Sequence, residues 1–321
     1  MKRLLALTAG IAAALSVAAA VAQTKQLSIT TGGTGGVYYP LGGGFASLIG
    51  KNIPNTTAAA EVTGGSVANL QLIGSGRADI AFAQVDASWD AINGTDKFTS
   101  GKLPIQALTV MYPNHMHVVT IDGTGITKIE DIKGKRVSTG SPGSATEVFA
   151  FRVIEAAGLD KDKDMKRERL GVAESVNAIK DKKIDAFFWV GGLPTAAVTD
   201  LGATPGVKIR MIDIAQNVDK MVAKYGNIYS ATVIPKGTYG PTHETDNKNV
   251  AVWNIMAVNA SMPVDLAYQL TKLMLEKREE LALTHKEALN IKAENQTKAK
   301  AGVPFHPGAL KYFAEKGIKV D

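Results

Sequence analysis

The stretch Thr30 to Pro40, TTGGTGGVYYP, gathers residue types suited to holding a small ligand. Gly32, Gly33, Gly35 and Gly36 permit unusual backbone angles and put no Cβ between main-chain amides and a bound group. Thr34 adds a hydroxyl, and Tyr38 and Tyr39 add aromatic faces with polar tips. The run follows strand-like Gln26 to Ile29 and leads into a helix. A glycine-rich strand-to-helix turn aims free amides and the positive helix end at an anion. The same composition also makes a plain tight turn. No GKS or GKT follows, and the glycine spacing misses GxGxxG, which disfavours phosphate chemistry and leaves a small anion.

Similar groups recur at the carboxyl ends of other predicted strands, where open α/β sheets bind ligands. They are Gly65 and Ser66, Gln84 and Asp86, Ser141 and Gly143 with Ser144 and Thr146, and Trp189 with Gly191. Ser66 and Ser144 either contact ligand or only cap helices. Trp189 is either core or cleft wall. Asp86 either meets a ligand ammonium or braces its own loop. His115 and His117 share a strand face, but no third metal ligand lies near them in sequence. GxSxG, HExxH and paired-carboxylate motifs are missing, so no catalytic or metal residue and no cofactor is assigned.

Alternating strand and helix patterns position these groups. Leu27 to Thr30 and Ala58 to Thr63 read as strands, with a helix at Leu41 to Ile49 between them despite Gly42, Gly43 and Gly44. Ser66 is predicted to cap a helix running to Ile73, and Ala78 to Ala83 is a buried strand ending at Gln84, Val85 and Asp86. Ile105 to Val110 and His117 to Ile121 read as separate strands flanking Pro113 and Asn114. A second series follows, with a strand at Lys135 to Ser138 and a helix from Ala145 started by a Ser144/Glu147 capping box. A helix at Ser175 to Lys182, a strand at Ile184 to Val190 and Pro194 in a first helical turn complete it. Gly65 to Gln84 resembles Glu174 to Val190, with Asp79 and Asp185 in the same place before a strand, which reads as structural. This repetition predicts two α/β lobes rather than one continuous sheet. Pro263 to Leu283 is an amphipathic helix, and Lys286 to Lys300 reads as a polar surface helix.

The N-terminus reads as a secretory signal: Lys2 and Arg3, the apolar run Leu4 to Val21, and an Ala20-Val21-Ala22 cleavage site before Gln23. The chain has no cysteine, which rules out disulfides, a thiol nucleophile and a lipid anchor on cysteine. Of 36 basic side chains two belong to the signal, leaving a mild excess over 30 acidic ones. That balance suits an anionic solute or a protein partner and gives no basic tract for nucleic acid.

The motifs TTGGTGGVYYPLGG (30–43), TGGSVANL (63–70), RADIAFAQVDA (77–87), MYPNHMHVV (111–119), GSPGSATEV (140–148), IPKGTYG (234–240) and GVPFHPGALKYFAEKGI (302–318) occur in this order. Together they resemble the TAXI family of solute receptors for TRAP transporters, within the type II periplasmic binding proteins. The resemblance implies an α/β, two-lobe periplasmic binding protein type II fold with a ligand cleft between lobes. Residues 1–22 would be the signal, 23–117 with 250–321 the first lobe, and 118–249 the second, linked by paired strands at Met111 to Ile121 and Val250 to Val258. It further implies a periplasmic, monomeric, non-enzymatic receptor. Its ligand would be glutamate, glutamine, a related dicarboxylate or a 2-oxoacid, passed to a TRAP-type membrane permease. A sensor for a signalling partner and a secreted enzyme are the competing classes.

Overall fold

The computed structural model describes residues 24–321, so the predicted signal at 1–22 lies outside the described residues. Lys25–Thr30 (β1), with Leu27 and Ile29 buried, pairs in parallel with Thr56–Glu61 (β2) and Ile80–Gln84 (β3). The helices Tyr38–Asn52 (α1) and Ser66–Gly74 (α2) make the crossovers that parallel pairing requires. Val85–Asn93 (α3) follows β3 directly. Gly42 lets α1 lie close to the sheet, since a Cβ there would be 2.6 Å from Thr31 Cγ2. Gly44 likewise faces Thr284, whereas Gly43 faces open space and contributes no packing.

The long strand Ile105–Ile121 (β4) then leads into a second set. Arg136–Ser138 (β5) pairs in parallel with Lys166–Glu168 (β6) and Ala186–Gly191 (β7). Ala145–Ala156 (α4) and Val172–Lys180 (α5) are its crossovers. The order is completed by Ala196–Gly202 (α6), Ile209–Met211 (β8), Val218–Tyr225 (α7), Tyr229–Ile234 (β9), Asn247–Asn259 (β10) and Val264–Glu276 (α8). Each set repeats one order, β2-β1-β3-β10 and β6-β5-β7-β4, with the last strand antiparallel. The internal sequence repeat is thus α2–β3 against α5–β7.

Hydrogen bonding nevertheless runs unbroken through all ten strands, contrary to the expectation of separate sheets. The reason is that β4 and β10 pair with each other, from Ala251↔His115 to Asn259↔Ile105, while each also borders one of the sets. The two strands predicted on either side of Pro113 are one strand. Pro113 fits inside it because β4 carries an extra residue relative to β10 between Val110 and Pro113, and such irregularities accommodate a residue that cannot donate.

The C-terminal region departs further from expectation. The predicted helix to Leu283 stops at Glu276 and resumes only as the short helix Arg278–Leu281. The predicted surface helix 286–300 is instead two 3₁₀ turns and the short helix Lys298–Ala301. Its polar residues include Glu287, which is buried and accepts the Leu193 amide at 2.7 Å. Pro194 precedes α6 in a cis peptide rather than opening the helix.

Asp79 and Asp185 do the same work in the two sets. Asp79 Oδ2 accepts the Ser28 amide at 2.9 Å, and Asp185 Oδ2 accepts the Arg136 amide at 2.8 Å. Each carboxylate ties the start of one strand to the central strand beside it. Asp79→Ala and Asp185→Ala should each lower stability by about 1–2 kcal/mol in urea titrations. Ligand affinity of the folded variants should stay within about twofold of wild type, and selective loss of binding would contradict the structural assignment.

Candidate functional site

Where the two strand sets face each other they enclose a cavity of about 260 Å³. Four helices begin at its wall. Tyr38 opens α1, Gly65 and Ser66 open α2, Ser144, Ala145 and Thr146 open α4, and Gly171 and Val172 open α5. Val37, Val62, Leu170, Val190 and Trp189 supply apolar wall. No Lys, Arg or His lines the cavity among the described residues, and Glu174 is the one ionisable carboxylate there.

The loops meet directly across the cavity. Ser141 Oγ donates to Gly64 O at 2.9 Å, and the Ala68 amide donates to Gly143 O at 3.0 Å. These bonds bring the starts of α2 and α4 side by side. On the far flank the Ala197 amide donates to Gly35 O at 3.2 Å, and Trp189 lies so close to Gly36 that a Cβ there would be 2.9 Å from its ring.

Among the described residues, the amides of Ser66 and Val67 in α2 and of Ala145 and Thr146 in α4 have no acceptor. Such first-turn amides carry the positive end of the helix dipole. In α1 and α2 no acidic side chain neutralises it, and in α4 Glu147 is drawn away by Arg169 at 2.6 Å and Arg167 at 3.2 Å. That pull leaves the predicted capping box half-formed: Ser144 Oγ accepts the Glu147 amide at 3.1 Å, with no reciprocal bond from the Glu147 carboxylate to the Ser144 amide. At α5 the Glu174 carboxylate folds back over Gly171 and occupies that end itself.

Of the predicted residues, Tyr38, Gly65, Ser66, Gln84, Ser141, Ser144, Thr146, Trp189 and Gly191 line the cavity. Several reach it differently from expectation. Ser66 is not a cap, because Gly65 (φ 118) takes that position and the Ser66 hydroxyl accepts the Gln84 amide at 3.1 Å. The Trp189 indole N–H is committed to Thr195 Oγ1 at 2.9 Å, so the residue lines the cavity without a free donor.

Thr34, Gly35, Gly143 and Asp86 do not line the cavity. Thr34 is exposed on the loop. Gly35 packs against Val172, Ala173 and Ala197, and Gly143 against Ala68, so both glycines serve close approach between the loops. Asp86 was read as the end of a strand, but it lies in the first turn of α3, whose rotation turns the side chain inward. It is fully buried, accepts the Tyr229 hydroxyl at 2.9 Å, and belongs to a network with Arg152 and Asp90.

Residues missed from the sequence form the cavity floor. Tyr112 and Asn114 project from β4, and Asn254 of β10 lies behind them. Asn114 Nδ2 donates to Asn254 Oδ1 at 2.9 Å, the Tyr38 hydroxyl donates to the same oxygen, and Asn254 Nδ2 donates to Tyr112 O at 2.9 Å. Asn69 was also missed; its Nδ2 bonds Thr31 O at 2.6 Å and Phe82 O at 2.8 Å and fixes α2 to β1 and β3. Asn69 and Asn114 lie inside motifs quoted above and Asn254 outside them, and their partners are all reached only through the fold. Elsewhere, burial holds His115 and His117 near pKa values of about 4 and about 3, and His117 Nε2 is 2.6 Å from the Tyr239 hydroxyl. Among the described residues no cluster of His, Cys, Asp or Glu could hold a metal ion.

Burial raises the Asp86 pKa to about 6 against the pull of Arg152. The folded state therefore holds this proton more tightly than the unfolded chain, and stability from this group falls as pH rises from about 4 to 6. Asp86→Asn removes that dependence. Its stability relative to wild type should rise between pH 4 and pH 7 by about 1–3 kcal/mol, with ligand affinity unchanged. Denaturant midpoints at the two pH values and calorimetric titration check both parts.

The fold matches known structures along nearly the whole chain. A Bordetella bronchiseptica RB50 protein aligns with TM-score 0.53 at 17% identity, over 91% of this chain and 89% of its own. A structure described as a periplasmic transporter aligns with TM-score 0.52 at 14% identity, over 93% and 99%. The periplasmic binding protein BugD aligns with TM-score 0.51 at 16% identity, over 92% and 99%. These likenesses establish a periplasmic-binding-protein fold. At the level of sequence the family match spans residues 29–317, so the chain belongs to the NMT1-like family.

Proposed function

We propose that this protein is an extracytoplasmic receptor that binds a small organic acid and passes it to a membrane permease of the TRAP type. The observation that carries this reading is the cavity. It collects uncommitted helix amides from both strand sets and, among the described residues, contains no basic side chain to hold an anion otherwise. Each helix end favours an anion by about 0.3–1 kcal/mol when exposed and up to about 2 when partly buried. Three such ends, α1, α2 and α4, can bind one carboxylate without an arginine. Glutamate, glutamine, related dicarboxylates and 2-oxoacids are the ligand classes that suit this chemistry and the TAXI-like motifs.

In this reading residues 23–117 with 250–321 form one lobe, and 118–249 the other. The β4–β10 pair is the hinge, and ligand draws the two loops together at Gly64 and Pro142. A signal at 1–22 would place the mature chain in the periplasm, where it acts as a monomer. No helix of the described residues is long and apolar enough to cross a membrane, so a separate permease would carry the ligand across. Asp86 has no part in the ligand contact.

A ligand at 100 times its Kd stabilises the fold by about 2.7 kcal/mol. Thermal-shift screening of small carboxylates at millimolar concentration should therefore yield a clear responder, and a response confined to sugars or cations would contradict the reading. Gly64→Ala provides the second arm, because its Cβ would be 2.3 Å from Pro142 O across the cavity. The variant should melt like wild type without ligand and bind the responding acid at least about tenfold more weakly. Unchanged affinity would mean that the loops need not meet.

A further inference from the structure

We infer that the floor of the cavity requires a hydrogen-bond donor from the ligand, that Asn114 sets this requirement, and that Asn254 positions Asn114. The inference rests on the proposal that the cavity takes an organic acid, and it narrows which acid. The Asn254 amide has only one workable orientation. Its Nδ2 faces the Tyr112 carbonyl at 2.9 Å, and turning the amide over would set two acceptors against each other. Asn254 Oδ1 is thereby fixed toward Asn114 and Tyr38, and it accepts from both. Asn114 must in turn present Nδ2 to it at 2.9 Å, which leaves Asn114 Oδ1 as the free end.

That oxygen is buried and has no partner among the described residues, and Asn114 lines the cavity. A buried acceptor with no donor is costly, and a ligand that supplies one removes the cost. The Tyr38 hydroxyl, its proton committed to Asn254, can also only accept from the ligand. Gln84 Oε1 and the Tyr112 hydroxyl are buried and unpartnered as well. Both can rotate to suit either polarity, so they adapt to the ligand while Asn114 does not. A carboxylate or keto oxygen at this position would confront a fixed acceptor. A hydroxyl, ammonium or carboxamide would satisfy it. The ligand class is therefore an acid whose carboxylate meets the helix amides and whose donor group meets Asn114.

Calorimetric titration of matched pairs tests this: lactate against pyruvate, 2-hydroxyglutarate against 2-oxoglutarate, and glutamate against glutarate. In any pair that binds, the donor-bearing member should be tighter by about 10- to 100-fold. Asn114→Leu should erase that ratio by weakening only the donor-bearing acid, and Asn254→Leu, which frees Asn114 to turn, should shrink it. The wild-type ratios decide alone where a variant does not fold. Equal or tighter binding of the donor-free acids overturns the inference and leaves the receptor reading intact. Failure of every carboxylate overturns both.

Discussion

The antiparallel pairing of β4 with β10 is the constraint on which the rest of the structure depends. Both strand sets hang from these two strands, one through β3 and β10, the other through β7 and β4. Every parallel strand therefore points its carboxyl end at the gap between the sets, and each crossover helix begins there. The same pair supplies the floor, since Tyr112, Asn114 and Asn254 all lie on it. Scaffold and candidate site are thus set by one ladder of hydrogen bonds, and a slip in its register would misplace both.

The proposed anion site, with no basic side chain among the described residues, has a clear physical logic. A buried Lys or Arg would hold an anion strongly but would lie uncompensated in the empty cavity. Backbone amides carry partial charges that the fold fixes in place, and they can be left open to solvent between ligands. Apart from Glu174, which folds back over Gly171 at the start of α5, the charged side chains are kept elsewhere. Arg152 is enclosed by Asp90, Tyr229 and Asp86, and Glu147 is held by Arg167 and Arg169. Neither cluster lies in the cavity, so neither competes for the ligand.

Much of this organisation was legible in the sequence because it is local or repeated. Asp79 and Asp185 were recognisable as structural from their equivalent places in the repeat, and the Ser144/Glu147 spacing marked the start of α4, whereas the helix expected from Leu41 begins at Tyr38. The misreadings share a cause. α3 begins at Val85 directly after Gln84 with no Gly, Pro or loop between strand and helix, so nothing in the local pattern signals that the chain has turned into a helix and that Asp86 faces inward. Pro113 looked like a strand break because the bulge that accommodates it depends on a strand about 140 residues away. The Asn114–Asn254 bond spans that same separation, and periodicity has no access to such a pairing.

The central claim, that main-chain amides at the starts of α2 and α4 hold a ligand carboxylate, is tested most directly by a crystal structure with the tightest-binding acid of the thermal screen. The account predicts carboxylate oxygens about 2.7–3.2 Å from amides among Ser66, Val67, Ala145 and Thr146, with no Lys or Arg side chain in contact. A carboxylate bound by a basic side chain, or a ligand lodged outside this cavity, would contradict it.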